Sequence, residues 1–248
     1  MNNQWWKEAF GSEYGVAFSE FYGEEKTSRE VEFLVETVGL EKGCAVLDIP
    51  CGQGRHAKAL AEVGYDVTGL DWSEDLLELA NKKMNESEAG ATFVQGDMRS
   101  FDLGREFDAV ATLGNSFGYF DDRDNEEFVA RVCAHLKTGG TFVLDLPNTA
   151  GMLRSPLGKS EFKFDGGHVR TEAYEFDPRS MKLGIRWEIM AEEKEKQVEG
   201  FLRLYTLPEV CGLLLRHGLK VSKVFGSFSG DDYSIDTPRA IVVAEKVS

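Results

Sequence analysis

Short apolar runs alternate with amphipathic stretches through the first 150 residues. Val46 and Leu47 lie in a run that closes on Asp48, and Ala57, Leu60 and Ala61 then recur at helical spacing before Gly64. Residues 66–70 form a second run ending at Asp71. Ser73 predicts a helix cap there, with Glu74 and Asp75 in the first turn and Leu76, Leu77, Ala80 and Met84 on the buried face. A third run, 91–95, leads into Gly96, Asp97 and Met98, and a fourth, 107–113, leads into Gly114, Asn115 and Ser116. Asp124 and Glu127 open a helix carrying Phe128, Val129, Val132 and Leu136 that stops at Gly139, and 141–146 is a fifth strand. Five alternations of strand and helix predict an α/β fold with a doubly wound, mostly parallel sheet.

The period then changes. Leu183, Ile185, Trp187, Ile189 and Ala191 alternate with polar residues, and Phe162, Phe164, Val198, Leu202 and Leu204 mark further strands. Gly166-Gly167, Asp177-Pro178 and the charged run 192–196 read as hairpin joints, so an inserted antiparallel sheet is expected over 162–205 after strand five, serving as a lid or a dimer interface. Thr206 and Glu209 cap a helix ending at Gly218, and strands near 219–224 and 240–244 complete a single domain over 1–248. Its first 42 residues form a helical cap. Within it, Thr27 and Glu30 form a capping box for a helix with Val31, Leu34, Val35 and Val38. The aromatics Trp5, Trp6, Phe10, Tyr14, Phe18, Phe21 and Tyr22 are expected to pack on the core, although a lid over a ligand has the same composition.

Charge and cysteine content narrow the function. The chain has 28 basic and 43 acidic residues, a net charge of -15, and no dense basic stripe, which argues against a phosphate-tracking nucleic-acid surface. Cys44, Cys51, Cys133 and Cys211 show neither a C-x-x-C pair nor histidine spacing for a metal, so reduced thiols and no metal site are expected. No leader pattern or bilayer-length apolar run occurs, and a cytoplasmic protein is the expectation.

The chemistry converges on the turn at 50–54. Gly52 and Gly54 let the backbone bend and approach a ligand where the first helical N–H groups lack partners. Gly52-x-Gly54-x-x-Ala57 followed by Asp71 also fits a dinucleotide fingerprint. Asp48 separates the two readings. A carboxylate there repels a pyrophosphate and attracts a sulfonium and an ammonium group, which favours S-adenosylmethionine (SAM) over NAD.

In sequence order, VLDIPCGQG, DVTGLDWSEDLLELA, FVQGDM, FDAVATLGNSFGYF and LKTGGTFVLDLPN resemble the motif series of class I SAM-dependent methyltransferases. The pattern is closest to small-molecule members such as those that N-methylate aminosugars. The resemblance implies that Asp48, Pro50, Cys51, Gly52, Gly54 and Arg55 form the turn at the methionine and ribose end. It places Asp71 on the ribose hydroxyls, Trp72 beside the adenine, Asp97 and Met98 at its edge, and Leu113 and Gly114 along the methionine part. Pro50 departs from the small residue usual in the family, and it removes an N–H from the turn. Pro50-Cys51 also looks like the nucleophile dipeptide of cytosine C5-methyltransferases, but it lies in the wrong loop, so Cys51 is expected to be structural.

Candidate acceptor-side residues are Tyr119 and Asn115, which follow strand four, Asn148, which follows strand five, and His168, in the hairpin of the insertion. His56, His135 and His217 sit in helix end turns where a structural imidazole is common. The expected partner is a small-molecule methyl acceptor, with nitrogen favoured over oxygen because no strong base is evident. A homodimer, an NAD(P)-dependent oxidoreductase and a non-catalytic SAM-binding or scaffolding protein stay open as alternatives.

Overall fold

The computed structural model describes residues 4–39, 41–154, 158–165, 167–191 and 194–247. Three helices come first: α1 (Trp5–Ala9), α2 (Ser12–Phe21) and α3 (Glu24–Val38). The expected alternation follows as β1 (Ala45–Asp48), α4 (Arg55–Glu62), β2 (Asp66–Asp71), α5 (Glu74–Met84), β3 (Ala91–Gln95), β4 (Phe107–Thr112), α6 (Asp122–His135) and β5 (Leu136–Pro147), except that β3 passes to β4 with no helix between them. After a short α7 (Thr149–Met152) come β6 (Gly158–Phe164), β7 (Gly167–Asp177), β8 (Lys182–Ala191) and β9 (Lys194–Arg203). The chain closes with α8 (Leu207–Arg216), β10 (Leu219–Phe225) and β11 (Arg239–Lys246).

Seven strands form the main sheet in the order β10-β11-β5-β4-β1-β2-β3, with β11 antiparallel to both neighbours and the other pairings parallel. All four residues of β1 are buried, as a parallel strand covered by helices on both faces requires. The chain winds outward from β1 through β2 to β3 and then crosses to β4, so the strand order reverses between β1 and β4. A crevice opens there, beyond the carboxyl ends of the strands.

The second sheet, β6-β7-β8-β9, is antiparallel throughout. Val198, Phe201 and Tyr205 share one buried cluster with Leu47, Val110 and Phe142 of the main sheet, so the insertion completes the principal core. It begins at Gly158, four residues before the expected Phe162. Asp177 makes its hairpin turn by accepting from the Arg179 N–H at 3.0 Å and the Ser180 hydroxyl at 2.6 Å. Gly166, Glu192 and Glu193 of the other two expected joints lie outside the described residues, as does the side chain of Val38.

Local signals mostly hold, with two corrections. Ser73 accepts from the Leu76 N–H, and Thr206 and Glu209 form the full capping box of α8. The box expected at Thr27 and Glu30 does not form: α3 starts at Glu24, so the Thr27 hydroxyl donates back to the Gly23 carbonyl, and Glu30 is drawn to Arg55 and His56. Helix α6 stops at His135, short of Gly139, because Leu136 already pairs with Phe107 as the start of β5.

Candidate active site

At the crevice the glycine turn is closed by backbone bonds despite Pro50. The Cys51 N–H donates to the Leu70 carbonyl at 2.9 Å and the Gly54 N–H to the Cys51 carbonyl at 3.0 Å. Gly52 and Gly54 both take left-handed φ, 54° and 73°. A Cβ on Gly54 would lie 2.8 Å from Ala80 and Phe93, so close packing of α4 demands glycine there as well. The Gly52 N–H is held by Asp71 Oδ2 at 2.7 Å, and Ser73 N–H binds Asp71 Oδ1 at 2.9 Å. The carboxylate has acceptor capacity beyond these bonds, the chemistry that ribose hydroxyls need.

A cleft rises above this turn. Pro50, Gly52, Asp71, Trp72, Asp97 and Met98 line its floor, and Ser116, Tyr119 and Phe120 its far side. Trp6, Phe10 and Tyr14 form a roof, which gives the aromatic N-terminus the ligand-facing role that composition alone ranked second. Trp6 meets Trp72 edge-on at 5.4 Å and Phe120 at 5.5 Å. Trp72, 39% exposed, also carries the Lys7 ammonium 4.0 Å from its ring centre. Asp97 is braced by the Arg99 guanidinium at 2.9 and 2.6 Å; burial opposes its charge, but these bonds hold its carboxyl below the usual range.

Asp48 lies beneath the turn and is the strongest test of which cofactor fits. It is buried, and its Oδ2 has no hydrogen-bond partner among the described residues. Burial pushes its carboxyl up to about 7, with Arg55 opposing the shift and Asp71 adding to it. A buried acid with an unpartnered oxygen calls for a cationic group nearby, and SAM carries two. The Asp71 carboxylate and the part-exposed ring of Trp72 fit the rest of that molecule. No group of three His, Cys, Asp or Glu side chains placed to hold a metal occurs among the described residues.

Other expected residues serve the frame. Arg55 turns toward α3, pairing with Glu30 at 2.5 Å and Thr27 at 3.1 Å. His56 meets the same Glu30 oxygen at 2.8 Å, and burial pushes the imidazole down to about 4, so it stays neutral beside an ionised Glu30. Cys51 packs under the turn and its thiol is pushed up by burial. Leu113 joins the buried cluster of Phe33 and Leu34. Asn148 caps α7 and donates to the Ser234 and Thr237 carbonyls. His168 pairs with Glu188 at 3.2 Å on the inserted sheet and is not among the cleft-lining residues.

Two residues escaped the sequence reading. Asp145, wholly buried on β5, accepts the Gly114 N–H at 2.9 Å, and Arg239 on β11 grips it at 2.6 Å. An acid in an apolar strand run was the available signal.

The chain is similar to known methyltransferases. Residues 46–140 match the family model of a methyltransferase domain. The chain is 39% identical over 104 residues to dTDP-3-amino-3,4,6-trideoxy-alpha-D-glucopyranose N,N-dimethyltransferase of Streptomyces venezuelae, covering 41% of each chain. It thus spans about two fifths of that relative's length. It is 29% identical over 217 residues to the cypemycin N-terminal methyltransferase of a Streptomyces species, covering 82% of this chain and 84% of the relative. The CcbJ methyltransferase of Streptomyces caelestis superposes with a TM-score of 0.84 at 20% identity, over 98% of this chain and 99% of that one. Residues 46–140 thus match a methyltransferase domain, and the motif series, the strand order and the acid-lined cleft resemble those of class I SAM-dependent methyltransferases.

Proposed function

We propose that this protein transfers the methyl group of SAM to a nitrogen of a small-molecule acceptor. The observation that carries the choice of nitrogen is the fate of the histidines. His56 is held by Glu30, His135 accepts from the Leu103 N–H at 3.1 Å, His168 pairs with Glu188, and His217 with Glu126 at 3.3 Å. None of them lines the cleft. An alcohol acceptor asks for a base to take its proton, whereas a neutral amine presents a lone pair without one. The two sequence relatives described above are both named for methylation at nitrogen.

SAM, when bound, supplies a methyl carbon already activated by the sulfonium. The chain has to orient the acceptor and keep water out. Trp6, Phe10, Tyr14 and Phe120 provide the apolar enclosure. Burial pushes the Tyr119 phenol well above its usual range, so it stays protonated, and its oxygen accepts a hydrogen bond from an amine N–H and turns the nitrogen lone pair to the methyl. Asn115, just outside the lining, offers a polar group to the rest of the acceptor.

The test is a mass-spectrometric screen of amine- and hydroxyl-bearing metabolites for a methyl gain with SAM. Methyl gain on amines is expected, and transfer confined to hydroxyls would overturn the choice of nitrogen. On the acceptor so found, Tyr119→Phe should lower turnover at nearly unchanged SAM affinity; normal turnover would take the hydroxyl out of the mechanism.

A further inference from the structure

The turn after β4 has an unusual backbone. Gly114 and Asn115 are consecutive residues in the left-handed region, with φ of 73° and 60°. Asparagine tolerates that region better than most side chains, but it still costs energy that the surroundings must repay. The turn also sits at a sensitive place. β4 pairs with β1 so that Ala111 lies beside Asp48, and the Ile49 N–H donates to the Ala111 carbonyl at 2.9 Å. The chain therefore leaves β4 next to the acid whose Oδ2 lacks a partner, and two residues after Gly114 it enters the cleft lining at Ser116.

What holds the turn comes from far along the sequence. The Gly114 N–H is taken by Asp145 of β5. Arg239, the first residue of β11, donates from Nη1 to both Asp145 oxygens, at 2.7 and 2.6 Å, and from the same nitrogen to Asn115 Oδ1 at 3.2 Å. Its guanidinium also lies 5.5 Å from the Phe228 ring centre. A guanidinium can only donate, so it must face the amide oxygen of Asn115, and the amide hydrogens are left to point elsewhere. One side chain thus fixes the carboxylate that binds Gly114 and the orientation of the Asn115 amide.

We propose that Arg239 is a positioning residue for the cofactor: through Asp145 and Asn115 it sets the turn 114–115 in the shape that receives the amino-acid end of SAM. It touches neither cofactor nor acceptor in this role. Antiparallel β11, which carries none of the family's cofactor motifs, then controls one half of the cofactor site. The proposal rests on the reading of the cleft as a SAM site.

The experiment compares two ligands by calorimetry on the full chain. S-adenosylhomocysteine has the amino-acid end, and 5′-methylthioadenosine keeps the adenine, ribose and thioether but lacks it. Lysine retains the charge of Arg239, but its stem ends one atom short of Nη1 and lacks the planar guanidinium that places that nitrogen between Asp145 and Asn115. Arg239→Lys should therefore weaken S-adenosylhomocysteine by roughly tenfold while leaving 5′-methylthioadenosine within about twofold, the size of loss expected for misplaced charged hydrogen bonds. The neutral double variant Arg239→Gln with Asp145→Asn avoids a lone buried charge and should show the same selective loss. Equal weakening of both ligands, or unchanged S-adenosylhomocysteine affinity in a folded variant, would overturn the proposal. Wild-type protein that bound neither ligand would overturn the SAM reading beneath it.

Discussion

Asp71 at the end of β2 stands on the floor of the cleft, Asp48 at the end of β1 lies buried beneath it, and the glycine turn between them is tied by backbone bonds. Across the cleft, the roof is made of side chains: Trp6, Phe10 and Tyr14 arrive from α1 and α2, and Trp5 behind them stacks on Trp187 of β8 at 5.1 Å and 14°. A backbone-built floor needs a few residue types at fixed spacing. An aromatic roof needs volume and shape, which many sequences can supply. The two regions should accordingly respond differently to substitution: the roof through stability, the floor through cofactor affinity.

The largest effect is expected in the roof. Trp5 is almost wholly buried, meets Tyr119 edge-on at 5.4 Å, and occupies a notch where a Cβ on Gly200 would lie 2.2 Å from its ring. Trp5→Ala empties that notch and should cost about 3–5 kcal/mol of stability, as for other buried tryptophans. Denaturant titration followed by far-UV circular dichroism reads this directly. A loss below about 0.5 kcal/mol, the range of surface substitutions, would mean that the roof is a detachable cover.

The same contrast explains what could be read before the structure. Strand five's run, the acid at the end of β2 and the capping box at Thr206 are local patterns, each with its own period or spacing, and the strands and the cap form where these patterns lie. Residues 3–22 carry no such spacing; their aromatic content was visible, but which rings face the cleft depends on how α2 docks against α5 and the inserted sheet. Gly15 shows the difficulty. A Cβ there would press within 2.6 Å of Leu79, so α2 sits against α5 by a close approach that two segments sixty residues apart must share. Thr27 and Glu30 mislead for a related reason, since a tertiary ion pair with Arg55 outbids a local cap worth about 1 kcal/mol. Asp145 and Arg239 meet across β5 and β11, a pairing that no local window contains.

A smaller effect is expected on the floor. Asp71→Ala removes the acceptor for ribose hydroxyls and frees the Gly52 N–H, while the sheet beneath it keeps its packing. SAM and S-adenosylhomocysteine should each weaken by about 1.5–3 kcal/mol, the range for charge-assisted hydrogen bonds. Calorimetry beside a melting curve separates the two regions. A folded variant with wild-type affinity would remove Asp71 from the ribose site, and a variant that melts as early as Trp5→Ala would erase the contrast between floor and roof.

The effect smallest per step is a pH dependence, at most about 1.4 kcal/mol for each pH unit, and it comes from Asp48. Its carboxyl is pushed from an ordinary 3.8 up to about 7 by burial. A raised acid favours the folded state while it is protonated, so its contribution is fully present below about 4 and is lost as pH rises toward 7; the cofactor-free protein should become less stable across that window. Cofactor binding should run the other way. The two cationic groups of SAM call for the ionised carboxylate, so binding below pH 7 must release the proton, and affinity should rise by up to about tenfold, or about 1.4 kcal/mol, per pH unit between 5 and 7 and then level off. Asp48→Asn should flatten the profile, because its side chain cannot ionise, and it should bind SAM weakly at every pH. Calorimetry in buffers of different ionisation enthalpy reads the proton directly: release near pH 6 in the wild type that disappears in Asp48→Asn ties the slope to this residue. A level wild-type profile from pH 5 to 8 would mean that the cations of SAM are met elsewhere, and Asp48 would then belong to the frame.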